Sequence, residues 1–201
     1  LFGRYAKEFD CGLETAVEFA TILTWLIFQV FQIYTHSQEL IDMAIQVGDK
    51  IPTATFNVMT ADGPQGMSSD EIFAGKKVVF FAVPGAFTPG CSMTHLPGFV
   101  VQADAIKAKG VDTIACMSVN DAFVMGSWGQ AQNADEILML ADGNAEFTKA
   151  IGMELDASGF GMGTRSQRFG MIVEDGTVTY VGIEAPGEIK ASSAETMLEQ
   201  L

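Results

Sequence analysis

The sequence predicts one α/β domain over residues 43–201, with a central mixed sheet flanked by helices. Two apolar runs, at residues 76–83 and 112–119, have the length and residue types of buried strands, and a helical stretch separates them. A strand, helix, strand unit of this kind requires parallel pairing through a right-handed crossover. Residues 168–183 are instead typical of an antiparallel hairpin, because Asp175 and Gly176 supply turn residues.

The other elements follow from local patterns along the chain. We expect a strand at 55–59, a turn at Asp62 and Gly63, a short segment at 68–73, a helix from Cys91 to about Lys109, a helix at 122–131, a strand at 136–140 and a helix at 145–151. Pro97 and Gly98 are expected to bend the first long helix. Ser192 or Ser193 can cap a terminal helix that carries Met197 and Leu198 into the core.

Composition excludes several classes of function. The formal net charge of -14 and the sequence pI near 4.3 argue against nucleic acid or an anionic membrane as the main partner, since either would be repelled. The three cysteines, Cys11, Cys91 and Cys116, are widely spaced and form no CxxC motif, so neither a disulfide framework nor a dithiol oxidoreductase is expected. This cysteine usage favours a reducing compartment, and the cytoplasm is the expected location.

Residues 1–42 do not match the pattern of the rest of the chain. Their apolar run at 19–34 contains Gln29 and Gln32, is shorter than a membrane span needs, and follows an acidic stretch, so a membrane anchor or signal peptide is disfavoured. An added amphipathic helix is a second interpretation. The third is that natural translation starts at Met43, which would leave residues 1–42 as an extension upstream of the domain. Cys11 is assigned no role.

The turn after the first buried strand is the strongest candidate for an active site. It places Cys91 at the start of a helix, where unpaired N–H groups and the macrodipole favour a thiolate over a thiol. Thr88, three residues earlier, offers a hydroxyl that can donate to an anion and accept from a protonated oxygen. The motif therefore predicts a reactive cysteine.

Three segments of the chain resemble the peroxiredoxins. They are PGAFTPGCS at 84–92, ACMSVND at 115–121 followed by AFVMGSWG, and RSQRFGMIVEDG at 165–176. More narrowly, they are similar to the type II, or fifth-type, branch, over roughly residues 43–201. The resemblance implies a thioredoxin-like fold with N-terminal additions. It also implies that a cysteine thiolate reduces hydrogen peroxide and small organic hydroperoxides.

The resemblance also implies a role for each residue of the motif. Cys91 would attack the peroxide and become a sulfenic acid. Thr88 would orient the peroxide, Pro84 would shield the sulfur from water, and Gly90 with Cys91 would supply backbone N–H donors. Sequence reasoning alone leaves Arg165 and Arg168 equivalent as the cation near the sulfur, and the family motif selects Arg168. No metal or organic cofactor is expected.

One departure from the family pattern concerns the second thiol. Some members of the branch resolve the sulfenic acid with a cysteine near the C-terminus, but residues 188–195 contain none. Cys116 lies in an apolar strand and is expected to be a core residue. The chain thus resembles the one-cysteine members, recycled by an external thiol, with glutathione and glutaredoxin favoured over thioredoxin. The family also implies a homodimer that pairs near the active site.

Alternative interpretations stay open for the protein and for individual residues. Cys91 could serve a peroxide sensor or a thiol-modified interaction protein without significant turnover, or the same enzyme could be tethered to a membrane by its N-terminal segment.

His95 could be a general base but is expected to be a structural or surface residue. Trp128 and Phe123 are expected to pack near the site or at a subunit contact, and Asp121 to cap a helix.

Overall fold

A mixed sheet organises the part of the chain that the computed structural model describes, which is residues 44–201 together with Trp25 and Gln29, both helical. Its strands are β1 (Thr55–Thr60), β2 (Gly63–Ser68), β3 (Lys77–Ala82), β4 (Thr113–Ser118), β5 (Ile137–Ala141), β8 (Phe169–Glu174) and β9 (Thr177–Ile183). A separate pair consists of β6 (Glu154–Asp156) and β7 (Thr164–Ser166). The helices are α1 (Ser69–Phe73), α2 (Leu96–Lys107), α3 (Ala122–Ala131), α4 (Glu146–Ala150) and α5 (Ala194–Gln200).

The strand order confirms the predicted mixed sheet. The order is β2-β1-β5-β4-β3-β8-β9, in which β3, β4 and β5 pair in parallel. The neighbours on both sides, β1 and β8, run antiparallel to them. The β8–β9 hairpin turns at Asp175 and Gly176, both with positive φ, as the sequence predicts, and a register shift falls between Ile172 and Val173.

The central strand β3 supplies both hydrophobic cores. Because side chains alternate across a strand, Val79 and Phe81 lie on one face, while Val78 and Phe80 lie on the other. The first face is covered by α2, α3 and α5, and the second by α1 and α4. Burial on both faces explains why β3 appears in the sequence as a continuous apolar run.

Three strands, β2, β6 and β7, are not predicted by the sequence patterns. The sequence of β2, GPQGMS, contains two glycines and a proline, all unfavourable in strands. It is tolerated because β2 is the outermost strand of the sheet and pairs only with β1, where a proline need not break a ladder on both sides. The turn predicted at Asp62 and Gly63 does join these two strands.

The first long helix is irregular where Pro97 was expected to bend it. A π-helical turn, Cys91–His95, precedes α2, and the Leu96 N–H bonds to the Cys91 carbonyl five residues earlier. Pro97 has no N–H to donate to the Met93 carbonyl, so the regular α-helical bond is unavailable at that step. The local geometry around Cys91 is therefore set partly by Pro97.

The predictions on residues 1–42, including Cys11 and the proposed start at Met43, lie outside the described residues. Residues 44–201 form one compact unit. In the part of the chain described, helices long and apolar enough to span a bilayer are absent.

Candidate active site

Cys91 lies at the edge of the sheet where the parallel strands end. The chain leaves β3 at Ala82 and becomes helical at Pro89, and the Ser92 N–H donates to the Thr88 carbonyl over 2.9 Å. Cys91 thus occupies the first helical turn, as predicted. Its side chain is fully buried, although the neighbouring Gly90 is exposed.

Sheet topology brings Arg168 to the same edge. Since β8 runs antiparallel to β3 and Phe169 pairs with Ala82, the residue before β8 lies next to the end of β3. From there, Arg168 Nη2 donates to Cys91 Sγ over 3.4 Å. A Cβ built on Gly90 would lie 3.4 Å from the same Nη2, in ordinary van der Waals contact, so the guanidinium packs directly beside the helix start.

The two arginines that sequence reasoning left equivalent have different partners. Arg165 donates from Nε to the Met162 carbonyl over 3.0 Å and from Nη1 to the Val119 carbonyl over 2.9 Å. Arg165 therefore ties backbone segments together, whereas Arg168 contacts the sulfur. The catalytic role that the motif assigns to Arg168 stays a prediction.

The loop between β3 and the helix is held by Asn120, a residue that the sequence analysis did not single out. Its Oδ1 accepts from the Ala86 N–H over 3.0 Å and from the Ser118 hydroxyl over 2.8 Å. Within the loop, Thr88 Oγ1 donates to the Gly85 carbonyl over 2.8 Å. With its proton used in this way, the Thr88 oxygen is left to accept from a substrate O–H.

The remaining predicted residues frame this loop. Pro84 is half-buried directly after β3. Trp128 packs near the site, one of the two predicted settings: it is fully buried, and its Nε1 donates to the hydroxyl of Ser92, the residue after Cys91, over 3.0 Å. Asp121 caps α3 by accepting from the Val124 N–H, which is also as predicted. Phe123 is 61% exposed in the single chain.

His95 is buried beside Arg168, with only 1% of its surface exposed. Its Nε2 lies 2.8 Å from the Ser192 carbonyl, and its Nδ1 lies 2.9 Å from Arg168 Nη1. A carbonyl only accepts and a guanidinium only donates, so Nε2 carries the proton and Nδ1 accepts. The pKa of His95 is lowered to about 4, mainly by burial and also by the nearby Arg168, against the opposing effects of the hydrogen bond to Ser192 and of the Glu184 carboxylate. Of the two predicted settings, structural or surface, the surface one is wrong.

Cys116 lies in β4 and is fully buried, as predicted. Burial raises the pKa of its thiol well above the usual range, and the nearby Cys91 adds to that effect. Both cysteines of residues 44–201 are free thiols. Clusters of side chains able to hold a metal ion are absent from the described residues.

Several known proteins are similar to this chain in sequence. The family model described as Redoxin matches residues 46–198. Peroxiredoxin-2E-2, chloroplastic, of Oryza sativa subsp. japonica is 48% identical and covers 78% of this chain and 72% of its own length. Peroxiredoxin-2D of Arabidopsis thaliana is 46% identical, and the match covers 78% of this chain and 98% of its own length.

A solved structure extends the similarity to three dimensions. Reduced Prx3 from Vibrio vulnificus, in complex with hydrogen peroxide, is 59% identical, covers 77% of this chain and 98% of its own, and superposes with a TM-score of 0.75. Together with the mixed sheet and its flanking helices, this similarity confirms the predicted thioredoxin-like fold.

Proposed function

Because the chain belongs to the redoxin family and, within it, to the type II peroxiredoxins, it is a thiol-dependent peroxidase, and we propose that Cys91 is the residue that reduces the peroxide. The observation that carries this proposal is the 3.4 Å contact between Arg168 Nη2 and Cys91 Sγ at the start of a helix. A permanent cation and the helix macrodipole both stabilise a thiolate there.

The chemical step is a two-electron transfer from sulfur to the peroxide. The Cys91 thiolate attacks the distal oxygen, a sulfur–oxygen bond forms and the oxygen–oxygen bond breaks. The other oxygen leaves as hydroxide or alkoxide and takes up a proton, giving water or an alcohol. Cys91 is left as a sulfenic acid, and no metal or organic cofactor takes part.

Each neighbouring group has a proposed part in this step. Arg168 stabilises the thiolate and the charge that develops on the leaving oxygen. The Thr88 oxygen, whose proton is bonded to Gly85, accepts from the peroxide O–H and so orients it. The first-turn N–H groups at Gly90 and Cys91 are proposed to bind the peroxide oxygens. Pro84, half-buried after β3, is proposed to shield the sulfur from water.

We propose that an external thiol restores Cys91, with glutathione and glutaredoxin favoured over thioredoxin. In residues 44–201 the second cysteine, Cys116, is fully buried, and burial raises the pKa of its thiol, which makes it a poor nucleophile. The external thiol attacks the sulfenic sulfur and releases water. A second thiol then reduces the mixed disulfide.

The proposed substrates are hydrogen peroxide and small organic hydroperoxides. The similar Vibrio vulnificus protein was solved with hydrogen peroxide bound, which supports the first of these. Because Cys91 itself is fully buried, a small substrate requires less rearrangement of the surrounding residues to reach the sulfur than a large one does.

The proposal is tested by peroxide consumption with glutathione plus glutaredoxin, or with thioredoxin plus its reductase. We expect turnover in one or both systems, complete loss of turnover in Cys91→Ser, and retention in the matched control Cys116→Ser. If Cys91 reacts once with peroxide and neither system restores it, the peroxide-sensor alternative replaces the enzyme. If the wild-type thiol does not react rapidly with peroxide, both are wrong.

We also propose a homodimer that forms through the face carrying the active site. Three large apolar side chains near this edge are exposed in the single chain: Phe87 by 56%, Met93 by 78% and Phe123 by 61%. Burying them in a subunit contact would be favourable. Analytical ultracentrifugation of the reduced protein at micromolar concentration is expected to give a dimer, and Phe123→Glu a monomer. A wild-type monomer in both redox states would contradict the proposal.

A further inference from the structure

We propose that His95 is a positioning residue for peroxide reduction: its ring holds the Arg168 guanidinium in the orientation that points Nη2 at Cys91 Sγ. The inference rests on the proposed function of Cys91. The Arg168 guanidinium makes two contacts: it donates from Nη1 to His95 Nδ1 over 2.9 Å and from Nη2 to the sulfur of Cys91 over 3.4 Å. The two ends of the planar fork thus have different partners.

A neutral acceptor suits this guanidinium better than a carboxylate would. Within residues 44–201, Arg168 forms no salt bridge with an acidic side chain. An imidazole without charge fixes the direction of the guanidinium and leaves its positive charge uncompensated. That charge then acts on the thiolate and on the leaving oxygen, where it lowers the barrier.

The ring of His95 is itself held in one orientation. It lies against Phe81 and Phe99, with ring centroids 5.0 and 5.6 Å away, and these two phenyl rings stack on each other. Its Nε2–H donates to the Ser192 carbonyl over 2.8 Å, which fixes the tautomer with a bare Nδ1. Arg168 therefore meets an acceptor whose position and protonation are both set by packing.

The loop between β9 and α5 links Ser192, the partner of His95, back to Arg168 through Glu184. Glu184 Oε1 accepts from the Ser192 N–H and hydroxyl over 2.7 and 2.8 Å, and from the Lys190 N–H over 2.6 Å. The Glu184 N–H donates to the Arg168 carbonyl over 2.9 Å. The backbone and the side chain of Arg168 are thus fixed by the same loop, so its guanidinium has little freedom to turn away from Cys91.

Two substitutions separate the halves of the His95 contact. In His95→Asn the amide oxygen can occupy the place of Nδ1 and accept from Arg168, while the bond to Ser192 is lost. In His95→Gln the amide nitrogen can reach Ser192, while the acceptor for Arg168 is lost. Stopped-flow oxidation of the reduced protein by hydrogen peroxide isolates the first chemical step from recycling. We expect a loss of about tenfold or more in the second-order rate constant for Gln, and of less than about threefold for Asn.

A double-mutant cycle tests whether His95 acts through Arg168. In an Arg168→Met background, His95→Gln is expected to change the rate constant by less than about twofold, because the group that it positions is already gone. Equal losses for Asn and Gln in the wild-type background would overturn the proposal. So would an undiminished loss for Gln in the Arg168→Met background, or wild-type rates for both variants.

A measurement on the unmodified ring covers the case in which these variants do not fold. The chain contains two histidines, His36 and His95, so ring nitrogen signals are assigned with His36→Gln. At pH 7 we expect His95 to be neutral, with Nε2 protonated and Nδ1 bare, and the opposite tautomer or a charged ring would overturn the proposal. Failure of the proposed function is distinguishable, since the wild-type thiol would then not react rapidly with peroxide.

Discussion

Arg168→Met is expected to slow the oxidation of Cys91 by hydrogen peroxide by about 10²–10³-fold, the range found when one preorganised donor is removed from an active site. The substitution keeps a long, flexible side chain. It removes the positive charge and the two N–H groups that donate to His95 Nδ1 and to the Cys91 sulfur, the latter over 3.4 Å. Arg168→Lys restores the charge without the planar fork, so we expect an intermediate rate. Stopped-flow oxidation of the reduced variants measures the effect directly.

Arg165→Met is the matched control for this prediction. Arg165 lies three residues earlier, but its donors bind the carbonyls of Val119 and Met162. We expect its loss to lower the free energy of unfolding by about 1–2 kcal/mol, because two part-buried carbonyl acceptors lose their partners, and to change the rate constant only a few-fold. A loss of rate in folded Arg165→Met as large as in Arg168→Met would contradict the assignment.

Local patterns were sufficient to predict where Cys91 and its helix begin. An apolar run followed by a Gly/Pro turn specifies a buried strand and the helix after it, and both lie where the sequence places them. The hairpin at residues 168–183 likewise rests on a turn formed by Asp175 and Gly176. Such features depend on contacts between residues close in sequence, or on burial of a whole face.

The partners of His95 could not be predicted in this way. Arg168 is 73 residues away in sequence and Ser192 is 97 residues away. Their meeting depends on the antiparallel pairing of β8 with β3, and on the path of the loop from β9 to α5. Periodicity indicates which face of an element is buried, but it does not indicate which polar groups meet across that face.

The free energy of unfolding is expected to fall by roughly 2 kcal/mol between pH 7 and pH 5 because of His95 alone. Burial lowers the pKa of this ring to about 4 in the folded chain, against an unperturbed 6.5, while Arg168 and Glu184 are the charged groups that face it. As the pH falls through 6.5, the unfolded chain binds a proton that the folded chain does not bind, so stability decreases. Below about pH 4 both states are protonated, and this group contributes no further loss.

His95→Asn isolates that contribution, measured by urea denaturation in the presence of a thiol-free reductant. The carboxyl groups with lowered pKa, Glu71, Glu136, Asp156 and Glu184, start from unfolded values near 4 and act mainly below pH 5. His36 is present in both proteins, so its effect cancels. We expect the variant to lose most of the pH dependence between 7 and 5. If its slope equals that of the wild type, the ring accepts a proton in the folded state near pH 6, and Nδ1 is then unable to accept from Arg168.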